Sequence, residues 1–264
     1  MAFSTGATMS EYILTESQDG VSIIRFNRED KKNALTLAMY DALTAALEEA
    51  ARDPKVRVVL FTGSETCFTS GNDLVDFVNN PPTGEDSPVF RFLQALISFP
   101  KPVITAVCGA AVGIGTTMLL HSDINFAGDN AKFKLPFANL GLCPEAGSSL
   151  LMPLMMGHHR ASELLLLGKT FDAQTAKEVG FLNGIHAPQE VFSVALETAK
   201  QLTAQPAAAL RLTKSLLKQH QQDLLQQVLR TEATHFIERL ASPEAAEAFS
   251  AFAEKRKPDF SSFD

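Results

Sequence analysis

All 15 glycines of this 264-residue chain lie at or before Gly184, and the last eighty residues contain none. Glycine permits tight turns and close backbone approach, so the chain divides into a turn-rich part and a part free to run in long helices. In the first part, β-rich runs such as Val21–Phe26 and Val56–Phe61 alternate with helical patterning such as Leu37 to Ala51, the order of an α/β fold. In the second, Pro188 to Lys200, Pro206 to Gln219, Asp223 to Leu240 and Pro243 to Lys255 read as four amphipathic helices, three of them opened by proline near the first turn. The stretch from Asn79 to Pro88 is markedly loop-like, and such loops often line sites.

Composition narrows the function. Hydrophobic residues at 45% and charged residues at 20% describe a globular chain. A net charge of −7 argues against nucleic acid as a partner. Cys67, Cys108 and Cys143 are odd in number and not spaced like metal ligands, so neither a disulfide framework nor a zinc site is expected. The uncharged run from Val103 to Leu120 is long enough to span a bilayer, but Gly109, Gly113 and Gly115 interrupt it. A strand (Val103–Val107), a glycine turn and a helix start explain it better, and no membrane partner is expected. No Lys or Arg precedes Arg25, and Ser262-Phe263-Asp264 is not a peroxisomal tripeptide, so the expected compartment is cytoplasmic. Met9 offers a second start, which would leave residues 1–8 extraneous.

Several fragments fail as motifs. Gly168-Lys169-Thr170 lacks the glycine that a phosphate loop needs at position 163, where Glu163 stands. The glycines of Gly109 to Gly115 run in the wrong order for a dinucleotide turn. His158 and His159 are adjacent and their side chains diverge, which suits a surface rather than a shared metal. Cys143 has no histidine near it in sequence and reads as a structural thiol.

Two glycine turns and one carboxylate remain. Ser70-Gly71-Asn72-Asp73-Leu74 leaves a strand and enters a helical segment, with Asp73 placed to cap it. Gly113-Ile114-Gly115 leads a second strand to a second helix start. Unpaired N–H groups at two such points could together hold a developing oxyanion. Glu145 stands alone between apolar runs, and the pattern fits a helix-start residue as well as it fits a catalytic acid or base.

Four landmarks in order, Asn33-Ala34-Leu35, Ser70 to Leu74, Lys101 to Val107 with its glycine turn, and Phe133 to Ser149, resemble the crotonase (enoyl-CoA hydratase/isomerase) superfamily over roughly residues 11 to 260. The resemblance implies an α/β crotonase-like spiral of ββα units over 9–190, followed by a helical trimerisation region over 191–264. It implies a homotrimer or a dimer of trimers, acyl-CoA as substrate, and no metal or redox cofactor. The thioester carbonyl would be held by the backbone N–H groups of Asn72 and Ile114, and CoA would lie along Ala34, Ser70, Gly71, Asn72, Asp73 and Leu74. Lys255, Arg256 and Lys257 could reach the CoA phosphates, of this subunit or of a neighbouring one, although a solvated helix end favoured by the dipole explains that cluster better.

Hydratases of this superfamily carry two glutamates, at positions occupied here by Thr117 and Phe137, neither of which can shuttle a proton at neutral pH. Glu145, after Leu142-Cys143-Pro144, stands where the 3,2-enoyl-CoA isomerase branch has its single catalytic carboxylate. Apolar neighbours such as Phe137 and Leu142 would raise its pKa. The resemblance therefore implies a double-bond isomerase of fatty acid β-oxidation. A hydratase, a thioester hydrolase and a non-catalytic acyl-CoA-binding protein remain as alternatives.

Overall fold

The computed structural model describes residues 10–84 and 86–263. Met9, at which the expected core would begin, and Glu85 of the 79–88 loop lie outside them.

The chain opens with an antiparallel hairpin, β1 (Ile13–Gln18) and β2 (Val21–Phe26), and the helix α1 (Leu37–Arg52), whose N-cap Thr36 accepts from the Met39 amide. Three turns of a spiral follow. Each contributes one strand to a large sheet and the next to a small one: β3 (Val58–Thr62) with β4 (Cys67–Thr69), β5 (Val103–Val107) with β6 (Ala110–Val112), and β7 (Ile124–Gly128) with β8 (Lys132–Lys134). Between them run α2 (Leu74–Asn79), α3 (Pro88–Ile97) and the single turn α4 (Ile114–Thr117). Helices α5 (Ser148–Met156), α6 (His158–Leu167) and α7 (Ala173–Glu178) and strands β9 (Phe171–Asp172) and β10 (Gly184–His186) complete the body. The large sheet has the order β1-β2-β3-β5-β7-β10 and is parallel beyond the first hairpin; the small one has the order β4-β6-β8-β9. This alternation is the spiral of ββα units implied by the landmarks.

Parallel strands covered on both faces read as continuous apolar runs, as Val103–Val107 does. Ile24, Val59, Phe61, Val103 and Val107 face the main core, which α1 and α3 share through Met39, Leu43, Leu47, Phe92 and Leu96. Val21, Ile23, Val58, Leu60 and Ile104 face the other way, under Val191, Ala195 and Ala199 of α8 (Pro188–Thr203). Helix α8 thus starts before residue 191 and covers the sheet. Where one glycine turn was expected after Val107 there are two, at Gly109 and Gly113, with β6 between them. The reason is steric: a Cβ on Gly109 would lie 1.7 Å from the Thr66 carbonyl, so only glycine lets the chain cross to the small sheet there.

The tail continues as α9 (Ala207–Gln219), α10 (Gln222–Leu240) and α11 (Pro243–Ala253), close to the bounds read from the sequence. Lys214 of α9 is 7% exposed and donates to the Lys101 carbonyl and to Asp123, while burial pushes its ammonium down to about 8. Helix α10 sends Leu229 and Phe236 into the main core, and Phe236 meets Phe77 of α2 edge-on, with ring centroids 6.2 Å apart. No helix among the described residues is long and apolar enough to cross a membrane.

Candidate active site

The two glycine turns are pressed together. Gly71 has φ +89°, and a Cβ there would stand 2.7 Å from the Val112 carbonyl. A Cβ on Gly115 would stand 2.7 Å from Thr69 Cγ2 and 2.9 Å from the Thr69 carbonyl. Side chains at either position would therefore wedge apart the β4–α2 and β6–α4 turns. Leu35 donates to the Gly71 carbonyl and accepts from the Asp73 amide, which leaves the Asn72 amide between them without a protein acceptor among the described residues. Ile114 is the first residue of α4, and its amide is likewise free. Both residues line one cavity of about 990 Å³, as does Glu145. The Asn72 side chain is held by the hydroxyl of Tyr40, a buried phenol on α1 whose pKa burial pushes well above its ordinary value.

Glu145 sits in the loop before α5, followed by two residues in the left-handed region, Ala146 at φ +57° and Gly147 at φ +73°. Its carboxyl is hydrogen-bonded to the Thr117 hydroxyl. Burial pushes that carboxyl up to about 8, against the Thr117 bond and with the charge of Glu232 adding to the rise. Thr117 Oγ1 also lies 3.4 Å from the Gly113 carbonyl. Its single proton can serve the ionised carboxylate, or turn to Gly113 while a protonated Glu145 donates to it, so the pair accommodates both states. Phe137 lines the same cavity as Glu145, so position 117 brings a hydroxyl to the carboxyl and position 137 a phenyl ring to the cavity wall.

Helix capping, one of the two roles open to Glu145, belongs instead to Glu232. This α10 residue is 7% exposed, and its two oxygens accept from the Gly147 amide at 2.6 Å, the Ser149 amide at 2.9 Å and the Ser149 hydroxyl. On the other side of the turn, His121 donates from Nε2 to the Ala146 carbonyl at 2.7 Å; burial lowers its imidazole to about 4, so it is neutral. The sequence carries no local signal for either residue, because Glu232 and Gly147 are 85 positions apart.

Ala34, Ser70, Gly71, Asn72, Asp73 and Leu74 all line the cavity. Asp73 caps α2 through the Val75 and Asp76 amides and pairs with Arg28 at 2.7 Å. Although burial pushes its carboxyl up, these bonds hold it below the usual range. Arg28, Lys31, Lys32 and Lys134 line the cavity, whereas the cluster at 255–257 does not line it within the same chain. Arg256 is instead engaged by Glu247 and Glu254 at the end of α11. Phe77, Val89, Leu93, Leu229 and Phe236 supply apolar wall between α2, α3 and α10. Burial and the nearby Glu232 push the Cys143 thiol up to about 11, which makes it a poor nucleophile. His158 and His159 are exposed on α6, and no three His, Cys, Asp or Glu residues among those described cluster as metal ligands.

The profile of the enoyl-CoA hydratase/isomerase family matches residues 16–262. Rat enoyl-CoA delta isomerase 2 is 37% identical over 259 residues, 96% of this chain; the chain spans 66% of that protein's length. The 2,3-dehydroadipyl-CoA hydratase of Escherichia coli K12 is 34% identical over 253 residues, covering 96% of this chain and 99% of the relative. Among solved structures, Pseudomonas aeruginosa OdaA superposes with a TM-score of 0.90 at 50% identity, over 92% of this chain and 99% of that one.

Proposed function

The chain belongs to the enoyl-CoA hydratase/isomerase family, and from that premise we propose that it is a 3,2-enoyl-CoA isomerase, converting a 3-enoyl-CoA of fatty acid β-oxidation to the 2-trans isomer. One observation carries the reading. Of the four carboxyls lining the cavity, Asp73, Asp76 and Glu232 are committed to backbone amides or Arg28, whereas the partner of Glu145 is a hydroxyl that tolerates either protonation state.

Isomerisation needs one such group. Ionised Glu145 removes a proton from C2, the electron pair moves into the thioester carbonyl, and the enolate oxygen is held by the Asn72 and Ile114 amides. The same carboxyl then returns the proton to C4 as the double bond settles between C2 and C3. No proton is gained or lost overall, and no other reactant is consumed. The raised pKa of Glu145 makes it a stronger base once ionised. Hydration needs a second acid or base near Glu145, and Thr117 and Phe137 offer neither. CoA is read along Ala34 and Ser70 to Leu74, with Arg28, Lys31, Lys32 and Lys134 as countercharges for its phosphates. The assembly is read as a trimer or a pair of trimers.

The test is incubation with 3-enoyl-CoA while following the absorbance of the conjugated thioester. Glu145→Gln should lower turnover by about 10²–10⁴-fold while acyl-CoA still binds, since the amide keeps the shape of the carboxyl without its basicity. Retained turnover would refute the base assignment. Efficient hydration of 2-enoyl-CoA would refute the isomerase reading.

A further inference from the structure

We propose that Glu232, delivered by the tail helix α10, is a positioning residue that fixes the turn carrying Glu145 and sets a second negative charge beside it. This rests on Glu145 being the base. The geometry has three parts. First, both Glu232 oxygens accept, from two amides and a hydroxyl, a donor set that suits a carboxylate. Second, its partners begin two residues after Glu145, at an uncomfortable stretch of backbone: Gly147 and its predecessor Ala146 both have positive φ, and Ala146 carries a Cβ there. Third, Glu145 and Glu232 line the same cavity, so the two carboxyls share one poorly solvated space.

The helix end stabilises the charge of Glu232 as an N-cap would, yet the carboxylate comes from another helix. The first turn of α5, the loop of Glu145 and the tail are thereby locked together. Around Glu145 the charged or titratable groups are Glu232 from α10, Tyr40 from α1 and Cys143 in its own loop, with neutral His121 bonded to the next carbonyl. Burial pushes the Glu232 carboxyl up as well, while its bonds from Ser149 and Gly147 favour the charged form. A carboxylate beside a base makes the base harder to deprotonate and stronger when deprotonated, and this suits abstraction of a weakly acidic C2 proton.

The decisive experiment compares pH profiles for 3-enoyl-CoA isomerisation by the parent, Glu232→Gln, Glu232→Asp and Ser149→Ala proteins. In Glu232→Gln the charge is gone and an amide NH2 faces a backbone N–H. We expect kcat to fall at least tenfold, KM to change less than threefold, and the acid limb of kcat/KM to move about 0.5–1 pH unit lower. Glu232→Asp keeps the charge with a shorter reach, so kcat should fall several-fold while the limb stays. Ser149→Ala removes one hydroxyl and should leave the limb in place. A helix cap with no role in chemistry would lower Tm in Glu232→Gln without moving the limb. A folded Glu232→Gln protein with the parental limb and kcat within twofold therefore overturns the proposal. If that variant does not fold, a parental kcat in Glu232→Asp overturns it. Infrared titration of the Glu145 carboxyl, assigned by its loss in Glu145→Gln, reads the same shift without turnover. The influence of Glu232 can thus be judged separately even if Glu145→Gln keeps its activity and the base assignment fails.

Discussion

A carboxyl held near pH 8 is mostly protonated at neutrality and must lose that proton before it can act as a base. Isomerase kcat/KM should therefore rise with pH through about 8, and a limb near the ordinary glutamate value would show that Glu145 is not desolvated during turnover. Asn72 separates side chain from backbone. Asn72→Ala keeps the free amide but strips Tyr40 of its acceptor, so it should cost roughly 1–2 kcal/mol of stability and leave kcat within a few-fold. Asn72→Pro deletes the amide and should lower kcat by about 10²–10³-fold in a protein whose circular dichroism is unchanged. Unchanged turnover in that folded variant would remove the Asn72 amide from the oxyanion site. Asn72, Ile114 and Glu145 were legible as candidates because each lies in a short local pattern, a glycine turn or a proline-led loop, and the fold brings the three to one cavity. Tyr40 and Glu232 were not, since each matters only through a partner 32 or 85 residues away. The basic lining of the cavity was left unread: Arg28, Lys31 and Lys32 are interleaved with Glu29 and Asp30 and lie about a hundred residues from Lys134, whereas Lys255 to Lys257 form an unbroken run.

Among elements, the turn between Glu145 and α5 holds two consecutive residues at positive φ. Ala146 at φ +57° costs about 1–2 kcal/mol relative to an ordinary conformation, offset by the His121 and Glu232 bonds on either side. Ala146→Gly should relieve the Cβ clash and raise Tm by about 1–3 °C, as read by scanning calorimetry. The freed backbone should at the same time lower kcat two- to tenfold, roughly, because the base is held less firmly. A rise in both would mean that the strain does not serve Glu145. Most elements were visible in advance: the tail helices because their prolines and periodicity are local, and β2, β3 and β5 because buried strands are rich in β-branched and apolar residues. Strand β6 was hidden, being three residues between glycines whose strand character comes from pairing with β4 and β8.

For the whole molecule, enclosing Glu145 sets activity against stability. Its carboxyl titrates near 4.5 when unfolded and about 8 when folded, so from pH 4.5 upward the unfolded chain sheds a proton that the folded one keeps. Stability is lost as pH rises through that window, by an upper bound of roughly 5 kcal/mol. Glu145→Gln should therefore be no more stable than the parent at pH 4 and increasingly more stable toward pH 8.5, as measured by urea unfolding. A constant difference would show that Glu145 is solvated in the folded state. His121 acts in the opposite sense, removing stability as pH falls from 6.5 to about 4, and it limits the acid side. The long-range capping of α5 also has a consequence in time. A ribosome adds about 5–20 residues per second, so the Glu145 loop waits on the order of 4–17 s before the 85 residues up to Glu232 have been made. During that interval a nascent chain holds both glycine turns and Glu145, while the Gly147 and Ser149 amides still lack their carboxylate partner, so the turn after Glu145 is completed only once α10 has been made.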